Sequence, residues 1–110
     1  MFYVTEEEQR LLKTDGVALV DFVASTGDVG VGFGQLEEFA KTKGIDEKDL
    51  TKLIVKLKEM YLIILWVPTD TPNISDDELR YTGTDWSRRV SPNEVKKLID
   101  ERTKIVERSE

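Results

Sequence analysis

The stretch FGQLEEFAKTKGIDEKDLTKLIVKLKEMYLII, residues 33–64, decides the fold. Leu36, Phe39 and Ala40 recur at helical spacing over residues 35–43, and Gly44 ends that helix by tolerating a left-handed backbone. Asp46 caps a second helix at once. Glu47 and Asp49 suit its positive end, and Ile45 before the cap is placed to pack on Leu50 as a hydrophobic staple. Leu50, Leu53, Ile54, Leu57 and Met60 form one apolar stripe, so residues 46–60 read as an amphipathic helix. Its other faces carry Lys48, Lys52, Lys56 and Lys58.

Working outward, residues 62–67 form an apolar run of strand length that Pro68 ends. Residues 69–77, with Pro72, Asn73 and Ser75, have loop composition, and residues 79–82 return as the partner strand of a hairpin. On the other side, Gly30, Gly32 and Gly34 alternate with Val29, Val31 and Phe33. That period of two predicts a short strand with three side chains on one face. Residues 17–24 are densely apolar and read as the buried first helix of the core, although their β-branched content leaves a strand open. Thr5-Glu6-Glu7-Glu8 has the pattern of a capping box, which starts a helix that gives way at Thr14-Asp15-Gly16. Ser91-Pro92-Asn93-Glu94 combines a cap, a first-turn proline and a reciprocal glutamate, with Val90 and Val95 as a staple. A C-terminal helix is expected over residues 91–108, with Val95, Leu98, Ile99, Ile105 and Val106 as its stripe and Arg102 interrupting it. At 110 residues the chain suits one domain. Its parts are a helical extension at 1–14, a core at 15–84 and the C-terminal helix.

Composition narrows the chemistry. There is no cysteine and no histidine, which removes disulfides, thiolate nucleophiles, the usual zinc sites and every Ser-His or Cys-His catalytic arrangement. The residues read as a binding protein, not an enzyme, with no cofactor and no metal. No stretch approaches the length of a membrane span, and the N-terminus lacks the basic start and apolar segment of a secretory signal, so a cytoplasmic protein is expected. The net charge is −6 and unevenly placed: residues 1–45 hold 8 acidic and 4 basic groups, whereas residues 46–68 hold 4 of each.

In order, the elements are helix, short strand, helix, tight turn, helix, strand, loop, strand and helix. Over residues 17–82 this arrangement resembles the winged helix-turn-helix superfamily of small transcription regulators. The most specific likeness is in residues 33–64, where a helix, a glycine turn and a second helix run out into Leu-Ile. The resemblance implies an α+β fold, mostly helical with a small antiparallel hairpin and a C-terminal helix. It further implies that the helix over residues 46–60 enters the major groove of double-stranded DNA, that the wing touches adjacent backbone, and that a homodimer presents two such helices to a two-fold site. Carried onto this sequence, Lys48, Lys52 and Lys56 stand in line at four-residue spacing, with Thr51, Val55 and Lys58 beside them. Arg88 and Arg89 follow the hairpin as further DNA contacts. Lysines so placed act chiefly on phosphates. The C-terminal stripe of Val95, Leu98, Ile99, Arg102, Ile105 and Val106 is expected to form the dimer.

A competing reading rests on the negative balance. Asp70, Asp76, Asp77 and Glu78 make the wing acidic, and with the N-terminal glutamates they would meet a basic protein partner, as a module that imitates nucleic acid or inhibits a machine handling it. The glycine alternation is not a phosphate-cradling loop, because its spacing is not G-x-G-x-x-G and no βαβ unit surrounds it. Asp76-Asp77-Glu78 lacks the ligand order of a calcium loop. Trp66, Trp86, Tyr61 and Tyr81 are expected to pack the core of the hairpin rather than stack on bases.

Overall fold

In a computed structural model, residues 1–27, 29–66 and 79–106 are described. They form an α+β fold, mainly helical with a small antiparallel hairpin. The chain runs through β1 (Phe2–Val4), α1 (Glu6–Leu11), a π-helical turn (Leu12–Gly16), α2 (Val17–Ala24), α3 (Phe33–Lys43), α4 (Glu47–Glu59), β2 (Ile63–Trp66), β3 (Arg80–Gly83), α5 (Pro92–Arg102) and β4 (Thr103–Ile105).

Thr5 starts α1 as its sequence requires. Its hydroxyl accepts from the Glu8 N–H at 3.1 Å, and the Glu8 carboxylate accepts from the Thr5 N–H at 2.9 Å. The break expected at Thr14-Asp15-Gly16 does not occur. Gly16 keeps helical angles (φ −63°, ψ −43°), and the wider π turn joins α1 to α2 without a loop. Thr14, a residue that often competes with a helix, instead donates its hydroxyl back to the Arg10 carbonyl at 2.9 Å. Within residues 1–14, Val4 and Leu12 belong to the same buried cluster as Leu19, Val23 and Leu53.

The strand expected over residues 29–34 shrinks to a single bridge, in which Val31 and Tyr81 exchange backbone bonds of 2.9 and 2.8 Å. Gly30 adopts φ +71°, which breaks the extended run, so Val29 is 76% exposed while Val31 is buried. Helix α3 therefore begins at Phe33, with the Gln35 side chain accepting from the Gly32 N–H at 3.0 Å. Gly44, at φ +73°, closes α3, and the Ile45 N–H returns to the Ala40 carbonyl at 2.8 Å. Asp46 then caps α4 by accepting from the Asp49 N–H at 2.7 Å. Leu50, Leu53, Ile54 and Leu57 are buried along α4, together with Ile45 and Met60, as their spacing predicts.

β2 and β3 pair antiparallel, with Ile63, Ile64, Leu65 and Trp66 opposite Gly83, Thr82, Tyr81 and Arg80. Val31 lies on the far edge of β3, so the spatial order is Val31, β3, β2. A second correction concerns the C-terminus. The last helix ends at Arg102, not near residue 108, and the chain turns extended to pair in parallel with β1, Phe2 lying opposite Thr103 and Val4 opposite Ile105. The Thr103 hydroxyl donates to the Ile99 carbonyl at 2.7 Å, and β1 supplies the strand edge that draws the segment out of the helix. Ile105 and Val106 consequently leave the helical stripe. Val95 and Ile99 are buried in the chain's own core, with Leu98 packed against it, so these three of the residues expected to dimerise are taken up within the chain, whereas Arg102, Ile105 and Val106 are exposed.

Candidate nucleic-acid interface and an exposed aromatic face

The lysines of α4 divide between two flanks. Asp49, Lys52, Lys56 and Glu59 recur at three- and four-residue spacing on the side nearer α1, where an open groove is lined by Glu6, Glu7, Glu8, Asp49 and Lys52 together with Ile105 and Val106. Lys56 Nζ lies 3.8 Å from Glu59 Oε2 and is the more covered partner. Across the groove, the backbone N–H of Thr5 is the main cause holding the Glu8 carboxyl below the ordinary glutamate value. Burial opposes it, while the Thr5 hydroxyl, Lys56 and Lys52 add to the lowering. These two lysines are thus partly answered by the chain's own acids.

The other flank is free of such answers. Lys48, Thr51, Val55 and Lys58 follow at spacings of three, four and three residues, which places them along one line of the helix. All four are exposed. Neither Lys48 nor Lys58 joins an ion pair among the described residues. The Thr51 hydroxyl donates to the Glu47 carbonyl at 3.0 Å, which leaves its oxygen an acceptor at the surface. Val55 is 47% exposed between the lysines. A strip with cations at both ends and small side chains between them can bridge phosphates while its centre meets base edges and thymine methyls.

Arg88 and Arg89 do not join that strip. They lie in the turn after β3, where Thr84 and Ser87 bond each other through side chain and backbone, and Arg88 pairs with Asp85 at 3.1 Å. Arg88 instead shares a groove with Tyr61, Ile64, Trp66 and Trp86 on the outer side of the hairpin. The acidic wing residues Asp70, Asp76, Asp77 and Glu78 lie outside the described residues.

The aromatic side chains correct a further expectation. Tyr81 packs against the core, but Tyr61, Trp66 and Trp86 are 78%, 55% and 42% exposed. Alternation explains Trp66: along β2 the side chains of Ile63 and Leu65 turn inward, while Ile64 and Trp66 turn outward. Because all four are apolar, their order in the sequence does not distinguish the faces. Tyr61 takes φ +58° immediately after α4, a left-handed position that glycine fills with less strain. The Leu62 N–H bonds the Leu57 carbonyl at 3.0 Å to close the helix.

Among the described residues, no group of three or more acidic side chains converges as a metal site, and no helix is long and apolar enough to cross a membrane. Comparison with protein families, with characterised proteins and with solved structures returns no match.

Proposed function

We propose that the chain is a winged-helix domain that binds duplex DNA by laying α4 in the major groove, as a dimeric regulator of transcription acting in the cytoplasm. The observation that carries this reading is the exposed line of Lys48, Thr51, Val55 and Lys58, whose two ammonium groups have no partner among the described residues. The order of elements supports the fold, since a short extended segment at Val31 before α3 and a hairpin after α4 follow the sequence expected of a winged helix. Lys52 stands at the margin of the strip and adds a further phosphate contact. Lys56, turned toward Glu59 and Glu8, contributes less.

Few free lysines and a chain charge of −6 imply modest affinity with a shallow dependence on salt. Titrating the protein with mixed-sequence duplex at low and at physiological salt measures this. Two or three phosphate contacts per copy contribute about −2 to −3 to the slope of log affinity against log salt for each helix engaged. No binding at the lower salt would count against the reading.

One observation favours a second reading. The Glu6-Glu7-Glu8 turn borders the lysine row, and a duplex lying along α4 would meet those carboxylates on one side. A protein-interaction module with a basic partner would meet them favourably instead. The same titration separates the two, because such a module leaves the duplex free.

A further inference from the structure

We infer that β2 pairs edge to edge with β2 of a second copy of this chain, about a two-fold axis through Leu65. The hydrogen-bond pattern fixes which backbone groups are available. Tyr81 exchanges both of its backbone bonds with Val31, so its N–H and C=O point away from β2. In an antiparallel ladder the residue directly opposite such a position also turns its N–H and C=O outward. That residue is Leu65, and nothing among the described residues receives its two groups.

Within Ile63–Trp66 the sequence of this edge is unprotected, and Pro68 comes only two residues later. Exposed edges are usually blunted by lysine, proline or a bulge, whereas β2 reads Ile-Ile-Leu-Trp and carries none of these. An antiparallel pairing of a strand with itself is two-fold by construction, so a second copy is the occupant whose edge is complementary without further conditions. With Leu65 opposite Leu65, Ile64 of one copy stands opposite Trp66 of the other, twice. Both are exposed on the outer face, and an aromatic ring beside a β-branched side chain is a favourable cross-strand pair.

The surroundings fit the same occupant. Tyr61 and Trp86 flank Ile64 and Trp66 around one groove with Arg88 and Asp85. Tyrosine, tryptophan and arginine are the side chains that most often dominate the energy of protein interfaces. The charges there come as an adjacent pair of opposite sign, Arg88 with Asp85 at 3.1 Å. Neutral as a unit, such a pair adds little repulsion when the surface meets its own image. This inference deepens only the dimeric part of the proposed function: it concerns the hairpin, not α4, and its test contains no nucleic acid, so DNA binding by α4 stands or fails separately.

The absence of cysteine makes the register directly testable. Ile64→Cys and Trp66→Cys are made as separate proteins, each replacing a solvent-facing side chain, and their folding is checked by circular dichroism. Across the inferred interface these two positions form a close pair whose separation a disulfide spans. On oxidation the mixture is expected to give a cross-linked dimer about ten times faster than either protein alone, because pairing raises the effective thiol concentration. Sedimentation of the unsubstituted chain at roughly 100 μM is expected to show dimer, strengthened by added salt as repulsion between two acidic chains is screened. A monomer at that concentration overturns the inference and leaves the face to an unlike partner. Cross-linking no faster in the mixture than in the single proteins overturns it as well.

Discussion

Gln9 Nε2 donates to Thr103 Oγ1 at 2.8 Å, joining α1 to the residue where α5 becomes β4, 94 positions away. The same hydroxyl donates to the Ile99 carbonyl at 2.7 Å, so one buried threonine closes a helix and fastens both ends of the chain together. Replacing it by the isosteric valine leaves an amide and a carbonyl without their partner. Thr103→Val is expected to lower stability by about 1–3 kcal/mol in urea unfolding, and an unchanged midpoint would show that the bond contributes nothing net.

Gly30 and Gly34 stand four residues apart and should respond oppositely to alanine. At Gly30 the backbone is at φ +71°, and a Cβ would lie 2.8 Å from the Tyr81 carbonyl oxygen and 2.7 Å from Thr82 Cγ2. The Tyr81 carbonyl is itself held by Val31, so it cannot yield without breaking the bridge. Gly30→Ala should destabilise by about 1–3 kcal/mol. At Gly34, in the first turn of α3, no atom lies within 4 Å of the added carbon, and alanine should stabilise by up to about 1 kcal/mol. Thermal melts of the two variants side by side check the contrast.

Glu8 makes stability depend on acid pH. Its carboxyl is lowered in the folded chain, first by the Thr5 N–H and also by the Thr5 hydroxyl, Lys56 and Lys52. A group whose folded value lies below its unfolded one stabilises the fold above the unfolded value, about 4.3 for glutamate, and that contribution disappears as pH falls through the folded value. Unfolding free energies measured between pH 7 and pH 3 should therefore decline less steeply in Glu8→Gln than in the parent. Parallel curves would show that the capping carboxylate is not responsible.

How much of this was legible depends on whether the deciding contacts were local. The caps at Thr5, Asp46 and Ser91 and the stripe of α4 lie within one or two turns of the residues they govern, and each was readable from spacing. The parallel pairing of residues 103–105 with residues 2–4 was not, because its partner is a hundred positions away and the segment continues an apolar helical pattern. Thr14-Asp15-Gly16 has the composition of a break, yet Thr14 bonds backward and Gly16 keeps helical angles, so burial of Leu12 and Val20 on either side prevailed over propensity. At the candidate site, the sequence named the helix and its buried face but not which flank lies beside α1. The position of α1, which brings Glu8 toward Lys52 and Lys56, and the Lys56–Glu59 pair within α4 set these two apart from Lys48 and Lys58, which join no ion pair among the described residues. The exposure of Trp66 was hidden for a similar reason, since an all-apolar strand does not announce its outer face.

The central claim is that one line of α4 meets DNA, and residue-resolved amide shifts on adding duplex to the isotope-labelled protein test it most directly. The account predicts the largest changes at Lys48, Thr51, Val55 and Lys58, smaller ones at Lys52, and little along α5. Changes confined to Tyr61, Trp66 and Trp86, or none at all with a duplex in excess at low salt, would contradict it.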